Sequence, residues 1–257
     1  MKGIRRNAIS NAVAACSLAI LCALCAAVFS AEAADPVHET REFKVSVDGA
    51  PRGKCTMQIR RHDDGAETVS INAGLTFDYV VYTYRYNSSG NEVWKDGRLV
   101  ELENSASYNG KDYRVKGAAT SRGLQVTVNG KTSHAHPDVW VTSYWRLPAR
   151  IEREVLAERT GDAHAPGTQP GNPGKEERVI TIALLDSDKG EPRRGRIQRI
   201  GDEKIKVAGK LHPCTRYRIG GDVQVDLWYD SLRRLVRQES VDSGHKTLLE
   251  LTRMTRN

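Results

Sequence analysis

Leu124-Gln125-Val126-Thr127-Val128-Asn129-Gly130 alternates apolar and polar residues for five positions and then ends in an Asn-Gly pair. Alternation with a period of two is what a strand with one wet face requires. Asn-Gly accepts the positive φ angles of a tight hairpin turn, so the stretch predicts a strand followed by a reversal. The same signal recurs at Asp48-Gly49, Asp64-Gly65, Asp96-Gly97 and Asn109-Gly110. Between these pairs lie β-branched and aromatic segments at Phe43–Val47, Cys55–Arg60, Thr68–Ala73, Tyr79–Tyr86, Leu99–Ser107 and Tyr113–Ala118. Further strands are expected at Val179–Leu185, Arg196–Ile200, Lys204–Val207, Thr215–Ile219, Val223–Tyr229, Leu235–Val241 and Thr247–Thr252, with turns at Gly220-Gly221 and Ser243-Gly244. So long an antiparallel series must hide its edges. The expected fold is therefore all-β, a single strongly curved antiparallel sheet, half-open or closed and barrel-like around a core or groove.

Two segments break the rhythm. Pro148 can open a helix, and Ala149–Arg159 places Ile151, Val155 and Leu156 on one side with charges elsewhere, so a short amphipathic helix is expected over 149–159. Residues 160–176 hold four glycines, three prolines and no large apolar side chain. That composition cannot bury enough surface to offset its ordering entropy, and it predicts a flexible insertion within one domain spanning 34–257.

The first 33 residues read as a secretory signal. Lys2, Arg5 and Arg6 precede a run from Ala12 to Phe29 broken only by Ser17, and Ala31-Glu32-Ala33 supplies the small-x-small pattern before cleavage at Ala34. Export to the periplasm or beyond is the expectation. Cleavage removes three bases and one acid, taking the formal charge from +7 to +5, and it removes Cys16, Cys22 and Cys25. Nucleic acid is disfavoured as a partner by that compartment. The modest basic excess suits an anionic envelope surface, although many inert surfaces carry as much. Cys55 and Cys214 remain as an even pair where disulfides are permitted; a bridge between them and two buried thiols are equally open.

Longer patterns carry a resemblance. Val47-Asp48-Gly49-Ala50-Pro51-Arg52-Gly53 is followed by Tyr84-x-Tyr86 and Glu92-x-Trp94-x-Asp96-Gly97-x-Leu99, then by Asn109-Gly110 and Thr142-Ser143-Tyr144-Trp145. Arg216-Tyr217-Arg218 and Leu227-Trp228-Tyr229-Asp230 complete the set. Over residues 41–253 the chain resembles a family of exported bacterial β-proteins of unknown function, similar to periplasmic domains with curved antiparallel sheets. The resemblance implies that fold and no established activity. In the family the position of Cys55 is more often polar, which weakens the case for a bridge that the fold needs.

Candidate sites are few. Tyr82, Tyr84 and Tyr86 alternate on one face of an expected strand, with Phe77, Tyr79 and Val81 on the other and Trp94 in the next strand. With Trp145 they are the candidate ligand-binding residues, against the plainer reading of cross-strand aromatic packing. His134, His136 and Asp138 would share a strand face and are the weak metal candidate, although Pro137 interrupts any ladder there. Ser143 lies among aromatics without a recognisable base, so no catalytic residue is assigned. Asp186 and Asp188 are expected in a turn, where backbone hydrogen bonding accounts for them. The arginine runs 193–199 and 233–237 read first as solvated surface.

Three functions stay open: binding of a lipid or other amphiphile in the concavity of the sheet, an envelope scaffold or interaction module, and a hydrolase with an unrecognised site. No cofactor is expected.

Overall fold

The computed structural model describes residues 38–78, 83–157, 178–242 and 244–257. The expected signal segment 1–33, residues 79–82 and the insertion 160–176 lie outside the described residues.

Four of the five Asx-Gly pairs form turns with positive φ at both residues: Asp48-Gly49, Asp96-Gly97, Asn109-Gly110 and Asn129-Gly130. That backbone twist matches the flanking strands, so each pair joins neighbours by a tight hairpin. The strands they link are β1 (His38–Val47) and β2 (Ala50–Arg61), β4 (Thr83–Lys95) and β5 (Arg98–Tyr108), β5 and β6 (Lys111–Thr120), and β7 (Gly123–Val128) and β8 (Lys131–Ala135). The fifth pair, Asp64-Gly65, has positive φ only at Gly65 and sits in a longer loop before β3 (Glu67–Asp78). A further turn of the same kind, Ala208-Gly209, has no Asx residue to announce it. It joins the two long strands β11 (Pro192–Val207) and β12 (Lys210–Gly221).

The remaining elements are β9 (Trp140–Val141), α1 (Ala149–Leu156), β10 (Ile180–Leu185), β13 (Val225–Tyr229), β14 (Leu235–Asp242) and β15 (His245–Arg256). All the strands belong to one sheet in the order β8-β7-β6-β5-β4-β3-β2-β1-β15-β14-β13-β12-β11-β10-β9. Every pairing is antiparallel except the short β9–β10 ladder. The first and last strands therefore meet in the middle, where β1 pairs β15 from Glu39–Arg256 to Val47–Thr247. The two outermost strands, β8 and β9, are consecutive in the chain and separated only by residues 136–139.

That short link determines the shape. Five Cα–Cα steps span at most about 18 Å, so the sheet must curl until its two edges approach each other. They are not joined by hydrogen bonds among the described residues, and the result is one strongly curved sheet, barrel-like and open along a seam.

The interior is filled by the segment that crosses it after the seam. Trp140, Tyr144, Trp145, Leu147 and Ile151 are all buried. Trp145 packs edge-on against Trp94 of β4, and Trp140 lies against Tyr229 of β13. The aromatic group before the helix thus anchors it to both halves of the sheet. The helix is shorter than 149–159, with Pro148 as its N-cap and its last residue at Leu156, which is exposed. Ile151 and Val155 alone carry its buried stripe.

Cys55 and Cys214 are free, buried thiols, so the bridge is corrected. Cys55 is on β2 and Cys214 on β12, separated in the sheet by β1, β15, β14 and β13. Burial pushes the Cys55 thiol up to about 12 and the Cys214 thiol up to about 11. Neither forms thiolate at neutral pH. We expect neither thiol to react with a disulfide reagent in the native protein and both to react in denaturant; prompt native labelling of Cys55 would contradict this packing.

Candidate functional site

β4 builds the site by simple alternation. Tyr84, Tyr86, Ser88, Gly90, Glu92 and Trp94 share the inward face, while Arg85, Asn87, Ser89, Asn91 and Lys95 point outward. Five of the six inward residues, all but Trp94, line an interior cavity of about 300 Å³. Its apolar wall comes from Val45, Met57, Ile71, Leu102 and Leu249. Its polar side is made of Ser88, Glu92, Asn104, Tyr108, Ser143 and Asp188.

Asp188 reaches this cavity from the tight turn between β10 and β11. Asp186 closes the turn, its Oδ1 accepting the backbone N–H groups of Asp188 and Lys189 at 3.0 Å each. Thr142 Oγ1 accepts the N–H of Ser187 at 3.0 Å, which ties the turn to the chain after β9. Gly190 completes it at φ +65°. A Cβ at Gly190 would stand 2.4 Å from Val128 Cγ2 as well as occupying a left-handed backbone. Gly190→Ala should cost about 2–4 kcal/mol in denaturant unfolding, since strain and overpacking combine. A neutral result would mean the turn has room to shift.

With the turn so fixed, the Asp188 carboxylate accepts four side-chain hydrogen bonds. Tyr86 and Tyr108 donate to Oδ2 at 2.7 and 2.6 Å. Ser88 Oγ and Asn104 Nδ2 donate to Oδ1 at 2.8 and 2.9 Å. Burial and the Asp188 charge raise both tyrosines well above their usual range, so they remain donors. Asn104 fits because residue 90 is glycine, where a Cβ would meet Asn104 Oδ1 at 2.2 Å.

Glu92 differs in kind. It is 1% exposed, and its Oε2 accepts the Trp94 indole N–H at 2.8 Å. Among the described residues no hydrogen bond of good geometry reaches Oε1 or the buried Ser143 Oγ, although Ser143 and Trp145 stand close enough to act on the carboxyl. Burial pushes the Glu92 carboxyl up to about 7, against smaller opposing contributions from Ser143, Trp94 and Trp145. No salt bridge reaches Glu92 or Asp188 among the described residues. Both are carboxylates without a cation there.

Of the candidate ligand residues, Tyr84 and Tyr86 line the cavity, and Tyr82 lies outside the described residues. Trp94 and Trp145 are buried core packing beside it and do not line it. Phe77 and Tyr84 are not on opposite faces of one strand; the chain reverses between Asp78 and Thr83, they are register partners, and their rings stand 4.9 Å apart. Of the expected strand Tyr79–Tyr86 only residues 83–86 are described; they open β4, whereas Phe77 belongs to β3, so the expected single strand is corrected. Asp186 behaves as a turn residue, whereas Asp188 points inward.

The weak metal candidate is not assembled. Asp138 pairs with Arg98 at 2.8 Å, and His136 Nδ1 takes the Asp138 backbone N–H at 3.1 Å. His134 is exposed on β8. The arginine runs are mostly engaged with neighbours: Arg199 with Asp202, Arg234 with Glu39 and Asp230, and Arg193 and Arg237 each with nearby carboxylates.

Fold and site together define a barrel-like β-protein, open along one seam, with an interior cavity that carries carboxylates. Residues 43–179 and 175–252 match the model of a domain family of unknown function, DUF6134, and the chain belongs to that family. Among solved structures it is similar to a β-barrel-like protein of a different domain of unknown function, DUF1849, from Brucella abortus. The two share 8% identity at a TM-score of 0.57, over 86% of this chain and 98% of the other, which shows a common fold. No curated protein matches.

Proposed function

We propose that this is an exported envelope protein that binds a small amphiphile in the interior cavity, without catalysing a reaction. The observation that carries the reading is the cavity itself, in which an apolar wall faces a cluster of converging polar groups. That combination characterises small-molecule sites, and about 300 Å³ is at the lower end of their range. By volume it corresponds to roughly ten waters, which suits a short-chain amphiphile better than a whole phospholipid. Export is supported by the sequence of residues 1–33.

Ala73 lines the cavity on β3. Ala73→Phe places a ring in the space a ligand would use and should abolish binding of a short-chain amphiphile, measured by calorimetry, with little change in melting. Unaltered binding by the folded variant would place any ligand elsewhere.

A further inference from the structure

The cavity wall contains three acidic residues, Glu92, Asp188 and Asp242, and no lysine, arginine or histidine among the described residues. This is the opposite of the chain as a whole, whose 39 basic residues outnumber its 32 acidic ones. Net charge would suggest an anionic ligand such as a fatty acid, but a carboxylate entering this cavity would meet no lysine, arginine or histidine among the described residues and would incur its own desolvation. The two inner acids are not equivalent. Asp188 has its oxygens filled by four neutral donors. Glu92 has one oxygen filled by the Trp94 indole, while Oε1 receives no hydrogen bond of good geometry among the described residues and has Ser143 and Trp145 as neighbours. A buried acceptor left without a donor is costly, and a ligand that supplies the donor recovers that cost.

We propose that the ligand head is a protonated primary amine that donates to Glu92 Oε1 and Ser143 Oγ, while its alkyl body lies along Met57, Ile71 and Leu249. This assignment rests on the proposed amphiphile site and adds the chemical class of the head. A charge-assisted N–H···O bond is about twice as strong as a neutral one, so the discrimination should be large. Binding should also depend on pH, because the amine is best served by ionised Glu92. The other titratable groups facing the cavity are Cys55, Tyr84, Tyr86, Tyr108, Asp188 and Asp242. Of these, Cys55, Tyr86 and Tyr108 are raised and stay neutral between pH 5.5 and 8.

The test is calorimetric titration of the purified protein at pH 8 with n-octylammonium, octanoate, 1-octanol and spermidine. Octylammonium should bind at least tenfold tighter than octanol, and octanoate and spermidine more weakly than either. Glu92→Gln should erase the preference for octylammonium over octanol. For the unaltered protein, octylammonium affinity should rise more than tenfold from pH 5.5 to 8 while octanol affinity stays flat. Equal or tighter binding of octanoate or octanol would overturn the head group and leave the cavity reading intact. Equal binding of spermidine would overturn the alkyl body. Binding of none would overturn both readings together.

Discussion

Glu92→Gln should make the protein more stable at pH 8, by about 3 kcal/mol, and change its stability little below pH 4. In the folded protein the Glu92 carboxyl is raised from 4.5 to about 7 by burial. Below pH 4 it is protonated in both folded and unfolded chains, and no difference arises. Between about pH 4.5 and 7 the folded state holds a proton that the unfolded state has released, so stability falls as pH rises. Above pH 7 the whole penalty is present; two and a half pH units correspond to about 3 kcal/mol. Glutamine keeps an oxygen for the Trp94 indole and removes the charge. Urea unfolding at pH 4, 6 and 8 reads the result. A mutant that loses stability at pH 8 would mean that a cation already neutralises Glu92. Stability given up at a position facing a cavity is the pattern expected where binding, and not folding, needs the charge.

Arg41→Met should have the opposite and comparably large effect, a loss of about 3–5 kcal/mol at neutral pH. Arg41 is 1% exposed on β1, the central strand of the sheet. Its Nε donates to Glu39 at 2.6 Å and its Nη1 to the Trp145 carbonyl at 2.5 Å. Glu39 also pairs with Arg234, which pairs with Asp230, so one buried network ties β1 to the interior segment and to the loop before β14. Removing Arg41 strands the carbonyl and takes a cation from Glu39. The loss comes from leaving groups unpaired, so the double variant Arg41→Met with Glu39→Leu should recover part of it. If the double variant is no better than the sum of the singles, the network is not coupled in this way.

Glu92 and Arg41 look alike in sequence, since both are charged residues in strand patterns. Alternation alone places Glu92 on the same face as Tyr84, Tyr86 and Trp94, so its inward position is legible from residue parity. Its open oxygen is not, because Ser143 and Trp145 come from a segment some fifty residues later in the chain. Asp188 is less legible still. A turn aspartate satisfied by its own backbone and one satisfied by Tyr86, Ser88, Asn104 and Tyr108 look the same in sequence, since those donors sit 80–102 residues away. The reversal from β3 to β4 escapes sequence reading because no Asx-Gly pair marks it, and the stretch Tyr79–Tyr86 reads in sequence as one continuous strand.

What the sequence determined by itself was local. Asx-Gly pairs placed the hairpins, two-residue alternation placed the strands and their faces, and the number of strands required a curved sheet, because each of these follows from backbone geometry within a few residues. What the tertiary structure decided was every contact across the concavity. The join of β1 to β15, the free thiols, the inward Asp188 and the open Glu92 oxygen all depend on how far the sheet curls. That curl is set by the short link 136–139 and by the segment packed inside, a balance of long-range packing that no local pattern encodes.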